Sequence, residues 1–177
     1  YFGSISTSKG INTLIKLSKI DKENDYYIFG GSKNQIYQLR KKFTNKNLYL
    51  KESIPYYQVP QKMMNMDVLA IPYSKEVKSS GEVDNIAKYT SPLKLFDYLA
   101  VGKAIISTEL KVLKEVIDHK NAYFIKNGQN IYEWKMNINK IKNNKKKFII
   151  MCKNNLNLSK KYNHNDRVKK YIKNHEI

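Results

Sequence analysis

The chain has 177 residues and a formal net charge of +18, from 33 Lys and Arg against 15 Asp and Glu. That length suits one domain with a substantial core; the single cysteine, Cys152, excludes an internal disulfide, and no run is long and apolar enough to span a bilayer. Only Arg40 and Arg167 are arginines, so the charge suits anionic surfaces (headgroups, polyphosphates, nucleic-acid backbones) rather than base-edge reading, which uses bidentate Arg.

The same Lys excess, joined by Asn, Ile and Tyr, is also what AT-rich codons produce, so composition alone leaves the charge open to either reading. No signal-peptide pattern opens the chain. Tyr1 reads as the first residue of a strand, and a piece of a longer polypeptide is expected. One free thiol fits a reducing, cytoplasmic setting.

In chain order, "YFGSIS" predicts a strand and "KGINTLIKLSKI" a helix, with Ile11, Leu14, Ile15 and Leu17 at helical spacing. "YYIFG" predicts a buried strand closed by Gly30 and Gly31, "KNQIYQLRKKF" a helix, "NLYL" a short strand and "VPQKMMNM" a short helix. "DVLAIP", Asp67 to Pro72, is the continuous apolar run of a parallel strand. Residues 73–90 break this rhythm with a long polar loop. A helix from Ser91, the strand "KAIIS", the helix "ELKVLKEVI", the strand "NAYFI" and a helical Lys/Asn-rich tail follow, with "SKKYNHNDRVKKYIKNH" as the last helix. This alternation predicts one α/β domain over 1–177 with a mainly parallel sheet of about six strands. Ligands in such a fold bind at the carboxyl ends of the strands. Gly3, Gly30, Gly31 and the polar loop fall there.

The stretch "YTSPLKLFDYLAVGKAIIS" carries the functional question. Ser91 is a good N-cap and Pro92 suits the first helical position. At about 100° per residue, Leu93, Phe96, Leu99 and Ala100 form one buried face, with Leu95 at its edge. Lys94 and Asp97 share the other flank. One reading is a capped helix with a surface Lys–Asp pair, worth a few tenths of a kcal/mol. The other is a helix start whose free N–H groups receive phosphate while a carboxylate one turn in holds a ribose. The residues by themselves leave both open.

"SPLKLFDYLAVGKAIISTELKVLKEVI" resembles the donor-site signature of family 4 glycosyltransferases, retaining enzymes of the GT-B fold. Their pattern runs roughly S-P-x-K-L-x-E-Y-M-A-x-G-K-P-I-I-A-T, with E-V-I beyond. Ser91, Pro92, Lys94, Leu95, Tyr98, Ala100, Gly102, Lys103, Ile105, Ile106, Thr108 and Glu115 match; Asp97 stands for Glu and Leu99 for Met. The opening "YFGSISTSKGINTLIKL" is similar to the family's first loop, through Gly3, Lys9 and Gly10, and the resemblance extends along almost the whole chain.

The resemblance implies a Rossmann-like, doubly wound C-terminal half of a GT-B enzyme, with an acceptor-binding N-terminal domain outside this chain. It implies a UDP- or GDP-sugar as donor and no cofactor. Gly3 would let the first loop approach the diphosphate, and Lys9 would neutralise the leaving diphosphate. Ser91, Leu93 and the helix start would hold phosphate oxygens, and Asp97 the ribose. Lys94 would pair with Asp97 or reach a phosphate, and Ile54 would pack the base. Ser4 stands where the family has Arg, and Tyr89 where it has the first acid of E-x7-E. Glu82 and Asp84 are candidates for that acid's role.

The implied chemistry is sugar transfer with retention, by front-face attack through an oxocarbenium-like transition state that needs neither enzyme nucleophile nor metal. His119, His164 and His175 have no metal-like spacing. The isolated chain is expected to bind donor without turnover. By family habit, the acceptor is a glycan or lipid-linked, the setting is cell-surface polysaccharide synthesis, and the place is the inner face of the membrane with peripheral contact to anionic lipid. Competing readings are a nucleic-acid-binding module, a sugar-nucleotide epimerase of the same fold, and a degenerate domain that keeps the fold without activity.

Overall fold

The computed structural model describes residues 1–74 and 93–162. Helix α1 (Ile11–Ile20) precedes strand β1 (Tyr26–Gly31), and α2 (Lys33–Lys42) precedes β2 (Leu48–Glu52). Then come α3 (Val59–Met64), β3 (Val68–Ile71), α4 (Leu93–Ala100), β4 (Ala104–Thr108), α5 (Lys111–Lys114) and β5 (Ala122–Ile125), with α6 (Ile131–Asn143) and α7 (Lys145–Ser159) closing the described chain. Every ladder is parallel: β1 pairs with β2, and β4 lies between β3 and β5. Sequence alternation therefore predicted the parallel α/β architecture; where one sheet of about six strands was expected, the described residues form five, in a two-stranded and a three-stranded ladder. The expected first strand is reduced to a single bridge, Phe2 to Phe29. The chain turns at Gly3, where φ is +137°, and the pairing with β1 ends at that bridge.

No ladder joins the opening segment to β3. Tyr98 of α4 spans the break instead: its hydroxyl accepts from the Phe2 N–H at 3.1 Å and donates to the Ala70 carbonyl at 3.4 Å. The side chain is fully buried, so both bonds form away from water, where an unmade bond is expensive.

Strand alternation sends side chains to both faces of the sheet. Leu69, Ile71 and Ile105 pack with Leu95, Leu99 and Leu113 on one side, beneath α3, α4 and α5. Ala104 and Ile106 pack with Leu17, Trp134, Ile141 and Met151 on the other, beneath α1, α6 and α7. A third cluster joins Ile11, Leu14, Ile28, Ile36 and Leu50. The fold is thus doubly wound. Buried Asn155 pins α7 to the loops beside β4 and β5. It donates to the Lys103 and Asn121 carbonyls at 2.7 and 3.0 Å and accepts from the Asn121 amide at 3.0 Å.

Two expectations are corrected. The buried face of α4 is Leu95, Tyr98 and Leu99, whereas Leu93 is 71% exposed and Ala100 is also exposed. The helix is apolar on most sides, so its pattern fits more than one rotation. Packing against β3 and the opening segment selects the face that carries Tyr98. The helix expected over "ELKVLKEVI" is regular only for Lys111–Lys114, with turns reaching Ile117. The terminal helix expected beyond Tyr162 lies outside the described residues. Among the described residues no helix is long and apolar enough to cross a membrane.

Candidate functional site

A pocket of about 340 Å³ opens at the carboxyl ends of β1 and β2, lined by Gly3, Ser4, Gly30, Ser53, Ile54, Tyr56, Lys94 and Asp97 among others. Phe2 and Phe29 also line it, their rings stacked with centroids 4.7 Å apart. The first loop is held down beside it. Tyr1 Oη donates to the Ser4 carbonyl at 2.9 Å, and the Gly3 N–H donates to the Phe29 carbonyl at 2.9 Å. A Cβ on Gly30 would stand 2.0 Å from the Gly3 carbonyl oxygen, so the two backbones touch and leave no room for a side chain between them.

Lys94 reaches into this pocket from the first turn of α4. Its Nζ lies 3.5 Å from the centroid of the Tyr1 ring and 5.2 Å from that of Tyr73. A Cβ on Gly3 would sit 2.8 Å from that nitrogen, so the glycine makes the space the ammonium occupies. Burial pushes Lys94 down to about 6; nearby Lys9 adds to the lowering and Asp97 opposes it. Lys94 and Asp97 do not form an ion pair: the pairs among the described residues are Lys114–Glu109 and Lys142–Glu23. Asp97 Oδ1 instead accepts from the Tyr56 hydroxyl at 2.9 Å. That bond raises Tyr56 above the ordinary tyrosine range.

Lys9 closes the short 3₁₀ turn Thr7–Lys9, its Nζ 4.6 Å from the centroid of the Tyr73 ring. The two lysines share that ring, so two amines converge on one side of the pocket. Gly10 follows at φ +72°, and a Cβ there would be 1.6 Å from the Pro72 carbonyl oxygen. Only glycine fits. The Ser74 N–H donates to the Ser8 carbonyl at 3.1 Å, a second tie between this loop and the end of β3.

Residues 1–161 match the family model described as glycosyl transferases group 1. The chain belongs to that family. The fold is that of the C-terminal half of GT-B glycosyltransferases. The C-terminal domain of a Francisella tularensis group 1 glycosyl transferase, LpcC, aligns with a TM-score of 0.66 at 18% identity, over 92% of this chain and 84% of that one. Anabaena HepE, crystallised with UDP-glucose, aligns with a TM-score of 0.64 at 14% identity, over 89% of this chain. An S. aureus TarM mutant, crystallised with UDP among other ligands, gives 0.69 at 19% identity over 97%. The chain spans 43% of HepE and 34% of TarM. A sequence comparison with curated proteins finds no match.

Of the site residues predicted for this member of the group 1 family, Gly3, Ser4, Ile54, Lys94 and Asp97 line the one pocket. Lys9 adjoins it through Tyr73 and Lys94. Gly10 supports the loop from beneath, and Leu93 opens α4 with its side chain turned outward. Ser91, Pro92, Tyr89, Glu82 and Asp84 lie outside the described residues. Sequence reasoning missed Tyr56 and Ser53, and placed Gly30 at the ligand-binding end of its strand without naming it a site residue. A rim tyrosine after Pro55 has no periodicity to mark it, whereas the Gly30-Gly31 pair was visible as a strand end. Among the described residues no group of three His, Cys, Asp or Glu is gathered for a metal ion. A larger open groove of about 910 Å³ runs along α6 and the start of α7, beside Tyr123, and its lining holds lysines, tyrosines and asparagines but no carboxylate, thiol or histidine.

Proposed function

We propose that this chain binds the nucleotide-diphosphate sugar, a UDP- or GDP-sugar, used by a retaining glycosyltransferase. The observation that carries the reading is convergence. Gly3, Ile54, Lys94 and Asp97 come from three separate stretches of chain, yet line one pocket with Lys9 beside it. The diphosphate sits against Gly3 and between Lys9 and Lys94. Asp97 receives the ribose hydroxyls, and Ile54 with Val59 and Met63 forms an apolar wall for the base. HepE and TarM, structures of the same fold, were crystallised with UDP-glucose and UDP.

Lys9 and Lys94 stabilise charge that develops on the diphosphate as the bond to the sugar breaks, so they serve the transition state more than the bound ground state. An anion entering beside Lys94 favours its charged form, so binding near neutral pH takes up a proton there. Ser4 brings no charge to the diphosphate, which leaves that work to the two lysines. The acceptor, a glycan or lipid-linked glycan of cell-surface polysaccharide synthesis, meets the donor through an N-terminal domain, and residues 1–177 form the donor domain alone. No cofactor enters this scheme.

Titration calorimetry with UDP, GDP and a panel of their sugars tests the reading. Saturable binding of one nucleotide supports it. If no nucleotide binds, or if steep salt-dependent binding of DNA or RNA replaces it, the reading is lost.

A further inference from the structure

The geometry points to Tyr56 as a built-in occupant of the ribose position: its hydroxyl holds Asp97 while the pocket is empty, yields the carboxylate to ribose, and leaves its ring as a wall for the nucleoside. The inference rests on the donor reading above. It goes further, because it assigns a role to a residue outside the motif that suggested that reading.

Tyr56 opens the short 3₁₀ turn Tyr56–Gln58 just past β2, directly after Pro55. The residue is 72% exposed, and an exposed phenol ordinarily donates its hydrogen bond to water. Here it reaches across the pocket mouth, over 41 positions of sequence, to Asp97 Oδ1 at 2.9 Å. The same two residues line the pocket together with Ile54. A vicinal diol chelates a carboxylate with one hydroxyl on each oxygen, and the phenol already stands against Oδ1 on the pocket side, in the space one of those hydroxyls takes. The phenol and the diol therefore compete for Asp97. Release of the phenol is easy, since the ring is held by no burial and its hydroxyl returns to water. The ring stays beside Ile54, where an aromatic face packs on a nucleobase.

This arrangement predicts a gain of affinity from a deletion, which damage to the fold does not produce. Calorimetry of the chain with UDP compares the native protein, Tyr56→Phe and Tyr56→Ala; inorganic pyrophosphate, which has no ribose, is the control. Tyr56→Phe should bind UDP about fivefold more tightly, the worth of one net hydrogen bond near 1 kcal/mol, and bind pyrophosphate as the native protein does. Tyr56→Ala should bind UDP more weakly than Tyr56→Phe, because the wall is gone. Equal or weaker UDP binding by Tyr56→Phe overturns the inference while leaving the donor reading intact, and so does an equal gain for pyrophosphate. Absence of UDP and GDP binding in all three proteins removes the donor reading and this inference together.

Discussion

At the scale of single residues, the pocket depends on one amine and one carboxylate that do not pair with each other. Asp97 faces Tyr56 and Lys94 faces aromatic rings. Asp97→Ala should weaken UDP binding about tenfold or more, the usual loss for a charge-assisted hydrogen bond, read by calorimetry. Lys94 carries a pH signature. Its folded-state value is about 6, and an unfolded lysine titrates near 10.4. Between those values the unfolded chain binds more protons at this site, so the cost of Lys94 to stability is full below about pH 6 and relieved as pH rises towards 10. Lys94→Met should therefore stabilise the empty protein, most at acidic pH and progressively less above pH 7, while weakening UDP binding. Urea denaturation at several pH values checks the first half and calorimetry the second. A motif match brought Lys94 and Asp97 into view; their separation from each other was not legible, because spacing on a helix permits an ion pair without requiring one.

At the scale of elements, α4 joins the site to the sheet. Lys94 and Asp97 face the pocket from the same helix that sends Tyr98 to bridge Phe2 and Ala70. Tyr98→Phe keeps the ring and strands the buried Phe2 N–H, at a cost of about 1–3 kcal/mol. A fall of several degrees in Tm, with weaker UDP binding because the first loop loosens, is the expected result. Thermal melts with and without UDP read both effects. The existence and order of α4 were legible in the sequence, but its rotation was not. Leu93, Phe96 and Ala100 are as apolar as Leu95 and Leu99, and the hydroxyl that decides the face finds its partners only in the folded sheet.

At the scale of the whole molecule, the chain spans less than half of HepE and of TarM, and its proposed role is half of a reaction. We expect this chain to bind UDP or GDP and to transfer no sugar by itself, which a radiolabelled-donor assay beside the calorimetry measures. The peripheral contact with anionic lipid that the family resemblance implies is open to test on one described surface. Helix α7, Lys145–Ser159, contains no acid and leaves Ile149, Ile150 and Leu156 part exposed among its lysines. Sedimentation with phosphatidylglycerol vesicles should retain the chain at low salt and lose it as salt is raised; neutral phosphatidylcholine vesicles should retain little.

The sequence by itself determined the alternation of strands and helices, the parallel sheet and the glycines at strand ends, because these follow from local periodicity and backbone permission. It also carried the motif that names the family. Only the tertiary structure decided which face of α4 is buried, that Lys94 is desolvated beside Lys9, and that Tyr56 holds Asp97. Burial, proton affinity and hydrogen-bond partnership are set by atoms distant in the chain and near in space, and no local pattern records them.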